Sequence, residues 1–207
     1  MDPNHSDAPP PQVSRRAARW ILALCGVLLL GSLAAFAYLG LSQWRSSTED
    51  GERIVSAAAG MSFVAPQGWD EVPQEGDDRL VYGQVALSKP TGEGMILLGK
   101  LDDSLFAAAE SDDARAACSL ASGMGEFFFP ESGERVDRES KPVKGAEVTG
   151  DSCYYRVEFS SGDPDAEVYA AVVRSGDQRW WLTWLGNATV PVDRQAAHAL
   201  AESIRPL

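Results

Sequence analysis

Residues Arg179 to Gly186 read RWWLTWLG, placing three tryptophans and an arginine within one short run of this 207-residue chain. At the two-residue period of a strand, Trp180, Leu182 and Trp184 point one way, while Arg179, Trp181, Thr183 and Leu185 point the other. Both faces are largely apolar. A strand with one wet face alternates cleanly, so this segment needs cover on both sides, by helices or by a fold in the sheet. Two readings follow. Clustered aromatics bury large areas and are routine in cores, which makes the run a central core strand. Trp and Arg also dominate interface hot spots, which makes it a recognition element, and then Arg179 and Trp181, on the less apolar face, are more exposed than Trp180 and Trp184.

The second constraint is N-terminal. Trp20 to Leu41 is free of charge, and 22 residues at a rise of ~1.5 Å each suffice to cross a hydrocarbon core of ~30 Å. Arg15, Arg16 and Arg19 precede this stretch, and Arg45, Glu49 and Asp50 follow it. The positive-inside rule therefore leaves the N-terminus cytoplasmic and sends the rest outside. The expected organisation is a disordered cytoplasmic tail (1–19), a transmembrane helix (20–41), a linker (42–60) and an extracytoplasmic domain (61–207). The competing reading is secretion, because Ala35-Phe36-Ala37 has the small-x-small form of a signal-peptide cleavage site. Both readings export the domain. After Arg45 the chain holds 14 basic against 28 acidic residues, a net charge of −14 that argues against nucleic acid as a partner.

Within the domain, Met61 to Ala65, Arg79 to Ser88 and Gly94 to Lys100 read as strands bounded by Pro and Gly turns. Ser111 followed by Asp112 and Asp113 reads as a helix N-cap with acids in the first turn, and Pro130 ends that helix. Ala114, Ala117, Cys118, Ala121 and Gly125 give it a small-residue face for close packing on a sheet. Ser152 to Ser160, Glu167 to Arg174 and Gln178 to Leu185 then alternate across short Gly/Asp loops, as an antiparallel meander does. A terminal helix over about Val192 to Ile204 places Ala196, Leu200 and Ile204 on one face. The expected fold is α+β, an antiparallel β-sheet with packed helices.

Reactive chemistry is sparse. Cys118 on the helix and Cys153 on the Tyr155, Val157, Phe159 face of a strand are disulfide candidates, the alternative being two buried free thiols. The two histidines are His5 in the tail and His198 on the terminal helix, where it reads as a surface residue. No GxSxG elbow or HExxH motif occurs, so no catalytic residue, metal ligand or cofactor is assigned and the chain reads as a non-enzyme. Asp163, Asp165 and Glu167 resemble the start of a calcium loop, but Val168 replaces the required glycine and Arg174 the bidentate Glu.

The run RWWLTWLG, followed by Pro191-Val192-Asp193 and the ending AESIRPL, resembles the mycobacterial fibronectin-attachment proteins, also called alanine- and proline-rich secreted proteins. Upstream, SFVAPQGW (Ser62 to Trp69), LLGKLDDSLFAAAE (Leu97 to Glu110), MGEFFFP (Met124 to Pro130) and YYRVEFS (Tyr154 to Ser160) continue the likeness in the family's order. The resemblance implies that Arg179, Trp180, Trp181 and Leu182 are the fibronectin-binding residues; Trp181 and Leu182 stand where the family pattern has Phe and Val. SFVAPQGW is also similar to the opening of PsbP-like domains of bacterial envelope proteins, an analogy that supports the same architecture. The functional expectation is a membrane-anchored extracytoplasmic adhesin that binds fibronectin or another extracellular protein. The alternative is a non-enzymatic envelope module for a lipid, a glycan or a membrane-protein partner.

Overall fold

Strand β9 (Gln178–Asn187) lies fourth of seven in an antiparallel sheet, between β5 (Met95–Lys100) and β8 (Ala166–Ser175). The computed structural model describes residues 52–73, 83–91 and 94–207, which fall in one unit of the chain, Thr48–Leu207. The expected tail (1–19) and apolar span (20–41), the first part of the expected linker, and the expected strand before Gly83 lie outside the described residues. Among the described residues, no helix is long and apolar enough to cross a membrane.

The large sheet runs β3 (Asp70–Glu71), β4 (Val85–Ser88), β5, β9, β8, β7 (Thr149–Phe159), β6 (Gly133–Lys144). A second sheet pairs β1 (Arg53–Ser56), β2 (Met61–Val64) and β10 (Arg205–Pro206). The β8–β9 connection is a tight hairpin in which Gly176 takes φ 57°, a left-handed conformation that glycine adopts without a Cβ clash. One face of the large sheet is covered by α1 (Asp113–Phe128) and the 3-10 turn Phe106–Ala109, and the other by the small sheet and α2 (Arg194–Glu202). The domain thus has three layers and two apolar seams.

The helices begin where side chains satisfy the free N–H groups of the first turn. Asp112, one residue later than expected, caps α1 by accepting from the Arg115 amide at 2.9 Å. Asp193 caps α2 through the Gln195 and Ala196 amides. The buried stripe of α1 is Ala116, Ala117, Leu120, Ala121, Met124 and Gly125. Ala114 and Cys118, expected at its centre, are only half-buried on its flank. Gly125 admits the Tyr155 ring against the helix, and the Tyr155 hydroxyl donates to the Ala121 carbonyl at 2.8 Å.

The structure departs from the sequence expectation at β1, at β6 and at His198. β1 falls inside 42–60, the stretch read as linker, because it zips onto β2 and carries Ile54 against the core. β6 is a 12-residue strand where no element was expected. Its side chains are almost all solvated, Val143 excepted, so it has no apolar alternation to read. His198 is only partly exposed and meets the Tyr169 hydroxyl at 3.2 Å through Nδ1, which corrects its reading as a surface residue.

Cys118 and Cys153 form a disulfide between α1 and β7, with their Cα atoms 5.0 Å apart. Closing a loop of 35 residues removes denatured-state entropy of about 3 to 4 kcal/mol in the chain-entropy model. The paired substitution Cys118→Ala/Cys153→Ala is therefore expected to lower unfolding free energy by about that amount. Urea melts of the two proteins check this, and equal midpoints would show that the bridge carries no such stabilisation.

Candidate functional site

The candidate residues Arg179 to Leu182 occupy the first half of β9, whose backbone pairs with β5 on one side and β8 on the other. Alternation then sends the side chains into different seams. Trp180, Leu182 and Trp184 enter the seam under the small sheet and α2, while Trp181 and Leu185 enter the seam under α1. Trp180 is 1% exposed, Trp181 2%, Leu182 fully buried and Trp184 2%. The expectation that Trp181 is more exposed than Trp180 and Trp184 is thus incorrect: α1 covers its face as fully as α2 and the small sheet cover the other.

Each ring has a built environment. The Trp180 indole N–H donates to the Ala59 carbonyl at 2.9 Å, across from the turn between β1 and β2. Trp184 packs edge-on to Trp69 with ring centroids 4.7 Å apart and planes at 71°, the quadrupole-favoured arrangement. Trp181 lies opposite Gly99 in the β5–β9 register. A Cβ on Gly99 would come within 3.1 Å of the indole nitrogen and one on Gly83 within 3.3 Å of the ring, after first meeting Gln84 and the Leu98 carbonyl, so the indole sits in a closely filled space.

Arg179 is the candidate with some exposure, 16% of its side chain, and it too is engaged. Its guanidinium sits 2.9 Å from Asp113 and donates to the Glu110 carbonyl at 2.8 Å. Arg174, on β8, reaches the same Asp113 carboxylate and the Ser111 carbonyl. Asp113 is the first residue of α1 and only 9% of its side chain is exposed. Two guanidiniums on neighbouring strands thus clamp the start of the helix to the sheet. The bonds to Asp113 raise the Arg174 pKa above its ordinary value. Nearby, burial and then the charges of Asp113 and Asp112 push the Asp151 carboxyl upward.

The four candidates share a strand but not a surface, so they do not form a patch. Asp113, which organises the arginines, was legible only as an acid in a helix first turn; its pairing across 61 and 66 residues is tertiary. Among the described residues no group of three or more His, Cys, Asp and Glu is arranged to hold a metal ion.

The fold, an antiparallel sheet with a helix packed on each face, is similar to a solved structure of cyanobacterial PsbP (CyanoP) from Synechocystis sp. PCC 6803. The TM-score is 0.50, with 12% sequence identity over 75% of this chain and 92% of that one. At that identity the likeness concerns the fold alone. Residues 53–207 match the family model of the fibronectin-attachment protein (FAP) domain, and the chain belongs to that family. It is 39% identical over 178 residues to the alanine and proline-rich secreted protein Apa of Mycobacterium tuberculosis strain ATCC 25618 / H37Rv, covering 75% of this chain and 54% of the relative. It is 40% identical over 176 residues to the protein of that name from Mycobacterium leprae strain TN, covering 74% and 60% respectively. The chain therefore spans about half the length of the curated relatives it matches.

Truncating a large buried ring leaves a cavity and costs about 3 to 5 kcal/mol. Trp181→Ala is expected to fall in that range. Arg179→Ala is expected to cost about 1 to 3 kcal/mol, because Asp113 retains Arg174 as a partner. Denaturant titration of both variants checks this, and near-wild-type stability for Trp181→Ala would contradict its placement in the core.

Proposed function

We propose that this protein is an exported, non-enzymatic attachment module that binds fibronectin or a similar extracellular protein through its folded domain. The observation that supports this most directly is the match of 53–207 to the fibronectin-attachment protein domain. The relatives' own name describes them as secreted proteins, in keeping with an extracellular site of action.

The burial of β9 shapes how attachment works in this reading. In the folded domain Trp180, Trp181 and Leu182 are enclosed and Arg179 is clamped to Asp113. A direct contact from all four requires the sheet to open locally, and opening at a central strand breaks pairing with both neighbours. We therefore assign Arg179 to Leu182 the role of holding the binding domain together, with contact to fibronectin made elsewhere on its surface. The remaining question is release or retention. The relatives' name favours cleavage after Ala37, whereas an intact span from 20 to 41 anchors the domain to the membrane.

Two experiments test the proposal. The full-length chain is expected to bind immobilised fibronectin, and Arg179→Ala/Trp181→Ala is expected to bind equally at any temperature where its melt shows it folded. Absence of binding by the wild type sinks the attachment reading; selective loss in a folded double variant returns the contact to β9. Mass spectrometry of the mature protein decides its topology: the full 22.2 kDa in the membrane fraction means an anchor, and a culture-medium product beginning after Ala37 means secretion.

A further inference from the structure

The described domain begins and ends in one small sheet. β1 and β10 each pair antiparallel with β2, one on either side of it, so the first and last strands run in the same direction. Arg53 stands opposite Val64, while Arg205 and Pro206 stand opposite Ser62 and Met61. The chain therefore enters at the Val64 end of β2 and leaves at the Met61 end. Backbone bonds extend the pairing past both strands: the Ala65 amide donates to the Glu52 carbonyl at 3.3 Å, and the Leu207 amide to the Gly60 carbonyl at 3.2 Å.

Side chains close the arrangement across β2. The Arg53 guanidinium donates to the Ser62 hydroxyl on β2 at 3.2 Å and, beyond it, to the Ser203 carbonyl at 3.1 Å, a link between residues 150 positions apart. Ser203 is the C-cap of α2 and precedes β10. Its hydroxyl accepts from the Val64 amide at 2.9 Å and donates to the Leu200 carbonyl at 2.8 Å, so it stands in for a strand partner where β10 has not yet begun. β2 itself is fixed, because Met61 and Phe63 are fully buried in the seam beneath it. The turn that joins β2 to β1 is held by the Trp180 bond to the Ala59 carbonyl.

This topology sets how the domain meets a pull on its ends. Hydrogen bonds of an antiparallel pair lie across the strand axis. Tension along that axis, applied at opposite ends of neighbouring strands, strains every bond of the pairing together. Tension at the open end of a hairpin breaks the same bonds one after another. Pulling Glu52 against Leu207 draws β1 and β10 in opposite directions along β2, which is the first case.

We propose that the small sheet is a tension clasp: β1 and β10, loaded in shear against β2 and tied across it through Arg53 and Ser203, keep the domain shut while force passes through its chain ends. The β9 core opens only after the clasp fails. The inference goes beyond the attachment reading and stands without it, since the load acts on the chain and not on a ligand. In a protein held through the residues before Arg53, β1 is the strand through which that load arrives.

The test is single-molecule pulling of the full-length chain through non-thiol handles, which leave its cysteines untouched. One pair of handles is placed at Glu52 and Leu207. The other is placed at Glu52 and Gln67, at the open end of the β1–β2 hairpin, where the pairing is unzipped. The first rupture across Glu52 and Leu207 is expected at about twice the unzipping force or more, forced unfolding being governed by the barrier to that step. Arg53→Ala is expected to lose more of its end-to-end force than of its unzipping force. Similar forces along the two axes in the wild type overturn the proposal. So does an end-to-end force in Arg53→Ala equal to that of the wild type, with a thermal melt confirming the fold and Arg53→Gln taking its place if it does not fold.

Discussion

Burial of the three β9 tryptophans on opposite faces of one sheet is the constraint to which the other layers answer. A single strand that presents Trp180 and Trp184 to one side and Trp181 to the other needs two covering layers, and the chain builds both. An indole that buries on the order of 200 Å² contributes about 5 kcal/mol at ~25 cal/mol per Å², before entropic costs. Net stabilities of whole domains are only about 5 to 15 kcal/mol. Bringing even one of these rings to the surface would therefore consume a large part of the fold's margin. A single interface hot spot returns about 2 to 8 kcal/mol, so a ring brought out of the core recovers at best about what its exposure costs.

The same constraint explains the placement of the polar pieces. Arg179 faces the α1 side, where its guanidinium meets helix backbone and the Asp113 carboxylate instead of apolar rings. Because Arg174 shares that carboxylate, the helix start is tied to two adjacent strands. The Cys118–Cys153 bridge ties α1 to a third strand, β7. Helix α1 is thus held to the sheet by an ion-pair clamp at its start, a covalent link near its middle and the Tyr155 hydroxyl bond to Ala121. A helix fixed at these points resists local opening away from the sheet.

Much of the fold was legible because the apolar pattern of the buried strands is strong. Two apolar faces on β9 required a sandwich of layers, and the Gly/Asp loops around β8 required antiparallel neighbours. What escaped was structure whose signal is not apolar. β6 is long, but it is an edge strand whose charged side chains face solvent, so backbone pairing with β7 specifies it and composition does not. β1 is short and lies in a stretch that looks like linker until β2 is there to pair with it. At the candidate site, the two-sided alternation of β9 was legible, but the equal cover on both sides was not. Thr183 made one face look less apolar, and only the packed α1 shows that Thr183 and Trp181 are buried there. The family likeness was carried by motifs spread through the chain, among them MGEFFFP, whose phenylalanines fall at the end of α1, Phe128 and Phe129 packed against the core.

Sheet edges are the other common route by which a β domain engages an extended partner, and here they are guarded. β3 is two residues long. β6 breaks register between Val136 and Glu139, with Asp137 at φ 50°, and carries Pro142 further along. A bulge, a proline and a row of charged side chains are the devices that keep an edge from accepting another strand. Arg156 reinforces the bulge by pairing with Asp137, Glu158 and Asp165. With the central strand enclosed and both described edges of the large sheet blunted, backbone-mediated capture has no ready site on that sheet. Backbone pairing is thereby kept within the sheet, and the outer surface of the described domain is made by side chains on its covering layers and on the solvated face of β6.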